Sequence, residues 1–234
     1  METAEAHEPK VLTESTSSVP YVLPFVLFLG LLALAPQFSA VLGQWEYPSR
    51  AAILALTLVV VSRHVIDFRM QTPLIAILVG IGVFFLWIGP DFLIPGYRNH
   101  WLFQNSLTGQ IKPGIAPDFQ NNWLVLAARS LRAIVLVPII EELFWRAWLM
   151  RWLIDPKFYR VSLGTFTWSS MLITAFLFGS EHGPYWDVGL LTGLIYNFLM
   201  VRSKRLGDCI LAHSVTNACL SAYVVLYNRW EYWP

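Results

Sequence analysis

Three short polar clusters in this chain carry the residue types that acid–base chemistry needs. The first contains the neighbours Glu141 and Glu142, with Arg146 four residues after Glu142. Residues four apart share one face of a helix, so Glu142 and Arg146 can neutralise each other as an ion pair. Glu141 is rotated by about 100° from that face and is left without this partner. We therefore interpret Glu141 as a candidate general base, with a purely structural polar cluster as the alternative.

The second cluster ends in a histidine, His182, directly after an apolar stretch that runs to about Gly179. Gly183 and Pro184 follow and predict the end of a helix, which places His182 at a helix-to-loop junction. A histidine in such a position is more often an interface residue than a catalyst. Its interpretation therefore depends on the other two clusters.

The third cluster contains His213 and Asn217, which are four residues apart and should point to the same side of a helix. Together they could donate hydrogen bonds to a developing oxyanion or help to hold a metal ion. The alternative is hydrogen bonding between helices, which is common for Asn and His in membranes. The three clusters lie on three separate apolar segments and together supply a complete acid–base set.

The composition predicts that membrane helices position these residues. The 234 residues are 56% hydrophobic and only 13% charged, against roughly 25% charged in a soluble domain. An ionisable residue inside a span costs roughly 2.5–3.5 kcal/mol on insertion scales and therefore needs a reason. The net charge of +1 offers no basic field for nucleic acid, so we expect membrane lipids as partners and no nucleic acid.

Seven apolar stretches predict an all-α, polytopic transmembrane bundle of about seven helices, with six and eight as the limits. Residues 1–18 are expected to form a disordered polar tail, and 19–234 a single transmembrane domain with its catalytic motifs in 122–228. A kink is expected at Pro36. Arg129 and Arg132 are expected near the membrane interface. The stretches are 19–42, 51–66, 73–93, 123–154, 163–179, 188–201 and 206–227.

The distribution of Lys and Arg predicts a cytoplasmic N-terminus and an outside C-terminus. Arg151 and Arg205 mark the predicted inner face. Counted along their helices, Glu141 lies roughly 15 Å from Arg151 and His213 roughly 12 Å from Arg205. His182 falls at the outer end of its stretch, which conflicts with a shared site unless that helix is tilted or ends within the bilayer. The basic residues expected inside are Lys10, Arg63, Arg69, Arg151, Lys157, Arg160, Arg202, Lys204 and Arg205.

The order of the motifs EExxxR, FxxxH and HxxxN resembles that of the CPBP intramembrane proteases, which include the CAAX prenyl endopeptidases. The resemblance covers residues 122 to 228. The chain is also similar to the bacterial CAAX-protease-related proteins that accompany exosortase protein-sorting systems. The motif residues here are Glu141, Glu142 and Arg146, then Phe178 and His182, then His213 and Asn217.

This resemblance implies an intramembrane endopeptidase that cleaves a membrane-associated protein or peptide. Glu141 and His182 would activate a water, while His213 and Asn217 would stabilise the oxyanion. The resemblance also implies three supporting residues. Glu142 and Arg146 would brace the site, and Phe178 would pack beside it.

The resemblance leaves metal dependence open; we expect no obligatory cofactor, with zinc as the alternative. If a metal is bound, Glu141, His182 and His213 would be its three protein ligands. We expect an integral membrane protein of the bacterial cytoplasmic (inner) membrane. Two other functions remain open, a non-catalytic binding or immunity protein and a small proton-coupled transporter.

Overall fold

The computed structural model describes residues 15–233, and this range contains helices and no strand. Residues 1–14 of the expected polar tail lie outside the described residues. The prediction of an all-α bundle of about seven helices is confirmed. The helices are α1 (Val19–Ala33), α2 (Ala35–Ser62), α3 (Pro73–Leu93), α4 (Trp123–Trp152), α5 (Trp168–Ser180), α6 (Trp186–Ser203) and α7 (Leu206–Tyr227).

Helices α3, α4 and α7 are each long and apolar enough to cross a membrane, with mean hydropathies of 2.2, 1.9 and 1.6. The bent pair α1 and α2 can supply a fourth span. Helix α5 is apolar but has only 13 residues, or about 20 Å of length against a hydrocarbon core of about 30 Å. The described chain is therefore an integral membrane protein with fewer full spans than its seven apolar stretches.

The first bend lies at Leu34, two residues before the predicted kink at Pro36. Pro36 instead occupies the first turn of α2, where its missing N–H is not needed. After a 3-10 turn at Gly43–Trp45, α2 continues to Ser62, whose hydroxyl donates to the carbonyl of Pro20 at 2.6 Å. The start of α1 therefore lies against the end of α2.

Small residues set the distance between the helices that carry the motifs. A Cβ atom at Gly80 of α3 would overlap the Ala212 carbonyl of α7, and the Thr216 hydroxyl donates to the Gly80 carbonyl at 2.8 Å. A Cβ atom at Gly179 of α5 would lie 2.8 Å from the Leu190 nitrogen of α6. Such close approach between backbones is typical of helix packing in membranes.

Helix α4 is α-helical at both ends and changes register twice. It is π-helical at Arg132–Leu136 and again at Leu143–Leu149, with one short α-helical segment between, Val137–Glu142. A π-helical turn inserts a residue, rotates the side chains that follow it, and is frequent at functional sites. The adjacent acids Glu141 and Glu142 lie between the two turns.

Candidate active site

The predicted ion pair on α4 is present and fully buried. Arg146 Nη1 donates to Glu142 Oε1 at 3.0 Å, and both side chains are 0% exposed. Arg146 Nε also donates to Asn197 of α6 at 3.1 Å, while Asn197 donates to the Met171 carbonyl of α5 at 2.9 Å. The pair therefore links α4 to α5 and α6. Sequence reasoning missed Asn197 because a single Asn in an apolar helix carries no motif.

His213 of α7 contacts the same carboxylate. Its Nδ1 atom lies 2.9 Å from Glu142 Oε1. Since an ionised carboxylate can only accept, Nδ1 carries the proton, and Nε2 is the ring nitrogen left for other partners. Phe178 packs at 6.3 Å from the His213 ring, centroid to centroid, and 4.5 Å from the Arg146 guanidinium carbon. Glu142, Arg146 and Phe178 thus surround His213 as a packed support.

Asn217 is positioned by an interruption in the backbone of α4. In the first π-helical turn, Val137 N–H donates to the Arg132 carbonyl, five residues back. The next such bond would run from Pro138 to the Ala133 carbonyl, but proline has no N–H. Asn217 Nδ2 supplies the missing donor and lies 2.7 Å from the Ala133 oxygen. One amide proton is used in this way, and the second remains available.

His182 follows the last turn of α5, as predicted. Its Nδ1 atom lies 2.7 Å from the Phe178 carbonyl, and because a carbonyl only accepts, Nδ1 carries the proton and Nε2 is free to accept. The Trp87 ring packs edge-on at 5.2 Å and is itself fixed by a 3.0 Å hydrogen bond to Thr192. The ring orientation and tautomer of His182 are therefore set by its surroundings.

Two carboxylates near His182 have buried oxygens without a hydrogen-bond partner among the described residues. Glu141 is 5% exposed, and its Oε2 is one of these atoms. Glu181 Oε1 is the other. Ligand atoms of Glu141, Glu181 and His182 all lie within 4.8 Å of one another. Sequence reasoning gave Glu181 no role, although a charged residue at the end of an apolar stretch was a usable signal.

A single cavity of about 320 Å³ connects the motif residues. It is lined by Glu141 from α4, His182 beside α5, and His213 and Asn217 from α7. The conflict in depth predicted for His182 is resolved because α5 is short and ends beside Glu141.

The same cavity extends to two arginines of α4. Arg129 and Arg132 both line it, and each is only 6% exposed. The sequence did not predict this burial, and the expectation that they lie near the membrane interface stays a prediction. Both are buried because Tyr232 and Trp233 line the same end of the cavity, with Trp233 at 5.2 Å from the Arg129 guanidinium carbon.

The donors at Glu141, Glu181 and His182 suit a divalent cation, because two unpaired buried carboxylate oxygens and one imidazole converge there. This set differs from the three ligands expected from the sequence, since His213 is paired with Glu142 and Glu181 takes its place. A metal ion held there would supply Lewis-acid polarisation of a carbonyl. Metal dependence remains a prediction.

Residues 122–219 match the family model described as Type II CAAX prenyl endopeptidase Rce1-like. The matched segment begins one residue before α4 and ends within α7, so it contains all three motifs. No curated protein and no solved structure matches the chain. This match supports the CAAX protease family for residues 122–219, the part of the chain that carries the three motifs.

Proposed function

We propose that this protein is an intramembrane endopeptidase that hydrolyses a peptide bond in a membrane-associated protein or peptide. The observation that carries this proposal is that Glu141, His182, His213 and Asn217, from three separate segments, line one cavity. A cavity that combines hydrogen-bond acceptors with donors can hold a water and a carbonyl next to each other.

Glu141 and His182 act on the water. The Glu141 carboxylate, which lines the cavity, and the free Nε2 of His182 are both acceptors, so one water can donate a hydrogen bond to each. Glu141 takes a proton as the water oxygen forms a bond to the scissile carbonyl carbon. The same proton then passes to the departing amide nitrogen as the C–N bond breaks, which leaves a carboxylic acid and an amine.

His213 and Asn217 act on the carbonyl oxygen. Asn217 donates with its second amide proton, while the first stays on the Ala133 carbonyl. His213 donates from Nε2, which requires a ring protonated at both nitrogens, and Glu142 is the counter-charge for that imidazolium. Donors held in place before the reaction stabilise the oxyanion at no cost in reorganisation.

This mechanism uses protein groups alone, and we propose that no metal is obligatory. We also propose the bacterial cytoplasmic membrane as the location, with the N-terminus inside. The bias of basic residues supports this orientation. Two of the basic residues expected inside, Arg69 and Arg205, lie at the same end of the bundle as the start of α7. Both approach Asp67, Arg69 at 2.9 Å and Arg205 at 4.0 Å.

The test compares cells that produce the wild-type protein with cells that produce Glu141→Gln, which removes the base and preserves the shape of the side chain. Mass spectrometry of peptides from the membrane fraction reports cleavage even when the substrate is unidentified. We expect a set of new termini that depends on Glu141. Asp118→Asn, an exposed loop substitution, is the matched control and should give the wild-type set.

An identical set of termini in Glu141→Gln cells would remove the endopeptidase from consideration. A binding or immunity protein would keep its function in that variant. A proton-coupled transporter would instead lose uptake, which is measured in the same cells.

A further inference from the structure

Arg132 is a buried charge that the proposed reaction does not use. It is 6% exposed and lines the same cavity as Glu141. Within residues 15–233, the side chain of Arg132 makes no hydrogen bond, ion pair or ring contact. Its guanidinium therefore faces the cavity space without a protein partner.

Among the described residues, the charged groups around Arg132 do not neutralise it. They are Arg129, Arg50 and Glu46, and Glu46 is already bound to Arg50 at 2.6 Å. An arginine cannot release its proton in a protein, so the charge persists. A buried charge in a membrane-spanning helix is expensive and is expected where a ligand provides the counter-charge.

The position of Arg132 sets where such a ligand group would lie. Arg132 and Glu141 are nine residues apart on α4, which is about 13 Å along the axis. An extended peptide covers that distance in about four residues. A peptide bond at Glu141 could therefore belong to the same molecule as an anionic group at Arg132.

We propose that Arg132 forms an anion-binding subsite of the cavity, which receives a carboxylate of the peptide substrate about four residues from the scissile bond. The planar guanidinium fork matches a carboxylate through two parallel hydrogen bonds. The carboxylate is either the C-terminus of the peptide or an acidic side chain. This inference rests on the proposed endopeptidase function.

The test is a binding measurement on the purified full chain in a neutral detergent. The probes are N-dodecanoylglycine, with a terminal carboxylate, N-dodecanoyl-aspartic acid α-amide, with only a side-chain carboxylate, and N-dodecanoylglycinamide, with none. Calorimetry gives the Kd of each. We expect at least one of the two acids to bind about tenfold or more tightly than the amide, the scale of one charge-assisted contact. The tighter acid identifies the source of the carboxylate.

Arg132→Gln should remove this preference for the acid, and Arg132→Lys should keep part of it. Arg205→Gln, at the opposite end of the bundle and 42% exposed at its side chain, is the control and should bind as the wild type does. The unliganded Arg132→Gln protein should be at least as stable as the wild type, because it loses an uncompensated buried charge. A merely structural arginine would instead lower the unfolding midpoint when replaced.

Equal affinity of the wild type for acid and amide, or an undiminished preference in Arg132→Gln, would overturn the subsite. If dodecyl phosphate binds more tightly than either acid, the ligand of Arg132 is a lipid phosphate, and the proposal of a carboxylate ligand is rejected. The binding measurement does not need turnover and is repeated in Glu141→Gln. Loss of the proposed endopeptidase activity and loss of the anion subsite are thus separate results.

Discussion

Two charged clusters in this protein use the same residue types but differ in how completely their carboxylates are satisfied. In the outer cluster, between the α3–α4 loop and the start of α6, Arg98 donates to Asp91 at 3.3 Å and to Asp187 at 2.5 Å. Tyr97 donates to Asp187 at 3.0 Å, and Tyr232 donates to Asp91 at 2.9 Å. Each of these carboxylates has at least two donors.

The cavity cluster gives Glu142 two donors on Oε1 and none on Oε2, whereas Glu141 and Glu181 each have a buried oxygen without a partner among the described residues. Buried polar atoms without partners destabilise a fold and are rare unless a ligand or a reaction uses them. A charge in an apolar protein therefore does not indicate function by itself. A charged side chain without a hydrogen-bond partner beside a cavity does.

The largest effect should follow removal of the unsatisfied acid. Glu141→Gln should lower cleavage by about 1,000-fold, the scale of a general base. The free energy of unfolding should change little, since Glu141 Oε2 has no bond to lose. Quantified product in isolated membranes and unfolding in mixed micelles are the two measurements. If the variant is strongly destabilised, Glu141 has a structural role like that of the paired charges, and the difference between the two clusters does not hold.

The next largest effect should come from the satisfied pair in the cavity cluster. Arg146→Met leaves Glu142 without its cation and should cost about 3 kcal/mol of unfolding free energy, with cleavage lost as His213 shifts. Arg205→Met is the control, because its ion pair with Asp67 is exposed and long at 4.0 Å, and should cost about 1 kcal/mol or less. Equal losses in the two variants would contradict the role of the buried pair.

The outer cluster should respond in stability but not in activity. Asp187→Asn weakens its bonds to Arg98 and Tyr97 and should cost about 1–2 kcal/mol of unfolding free energy. Cleavage by the folded fraction should stay within about twofold of the wild type. A selective loss of cleavage at unchanged stability would show that the outer cluster belongs to the site.

Zinc should distinguish the unsatisfied acids from the satisfied ones. We expect a chelator to leave cleavage within about twofold of its initial value, since we propose that no metal is obligatory. Added zinc should bind at Glu141, Glu181 and His182, and Glu181→Gln should weaken that binding by about tenfold. Calorimetry with zinc alone measures this, and Asp118→Asn is the control. Loss of cleavage on chelation that zinc restores would make the metal part of the mechanism.

The smallest effect concerns Tyr97 in the outer cluster. Burial and its hydrogen bond to Asp187 raise the pKa of Tyr97. Because the folded state raises this pKa, the contribution of Tyr97 is complete below about pH 10, the ordinary tyrosine value, and is lost as the pH rises through the folded pKa. Tyr97→Phe should therefore flatten the fall of the unfolding midpoint above pH 10. An unchanged pH profile would remove Tyr97 from the cluster.

The sequence predicted the helices and the pairing within one helix, because both depend on local spacing. Hydropathy located all seven helices, and the four-residue spacing predicted the bond between Glu142 and Arg146. The bend at Leu34 was missed because Pro36 suits a helix start as well as a kink.

The remaining features of the site depend on contacts between distant segments. His213 shares Glu142 with Arg146, Asn217 replaces a bond that Pro138 cannot make, and Glu181 turns toward Glu141. None of these contacts has a periodicity that a sequence could display. The burial of Arg132 was not predicted for the same reason, since hydropathy does not report a cavity.

The shortness of α5 has a consequence for the surrounding lipid. Leu172, Ile173 and Phe176 of this helix are exposed to the outside of the bundle, yet the helix covers only about two thirds of the hydrocarbon thickness. Acyl chains next to it must shorten or tilt to avoid exposing their ends, which thins the bilayer locally. Bulk water thereby comes closest to the buried carboxylates at this point, and vesicles made from shorter-chain phospholipids should support faster turnover than thick ones.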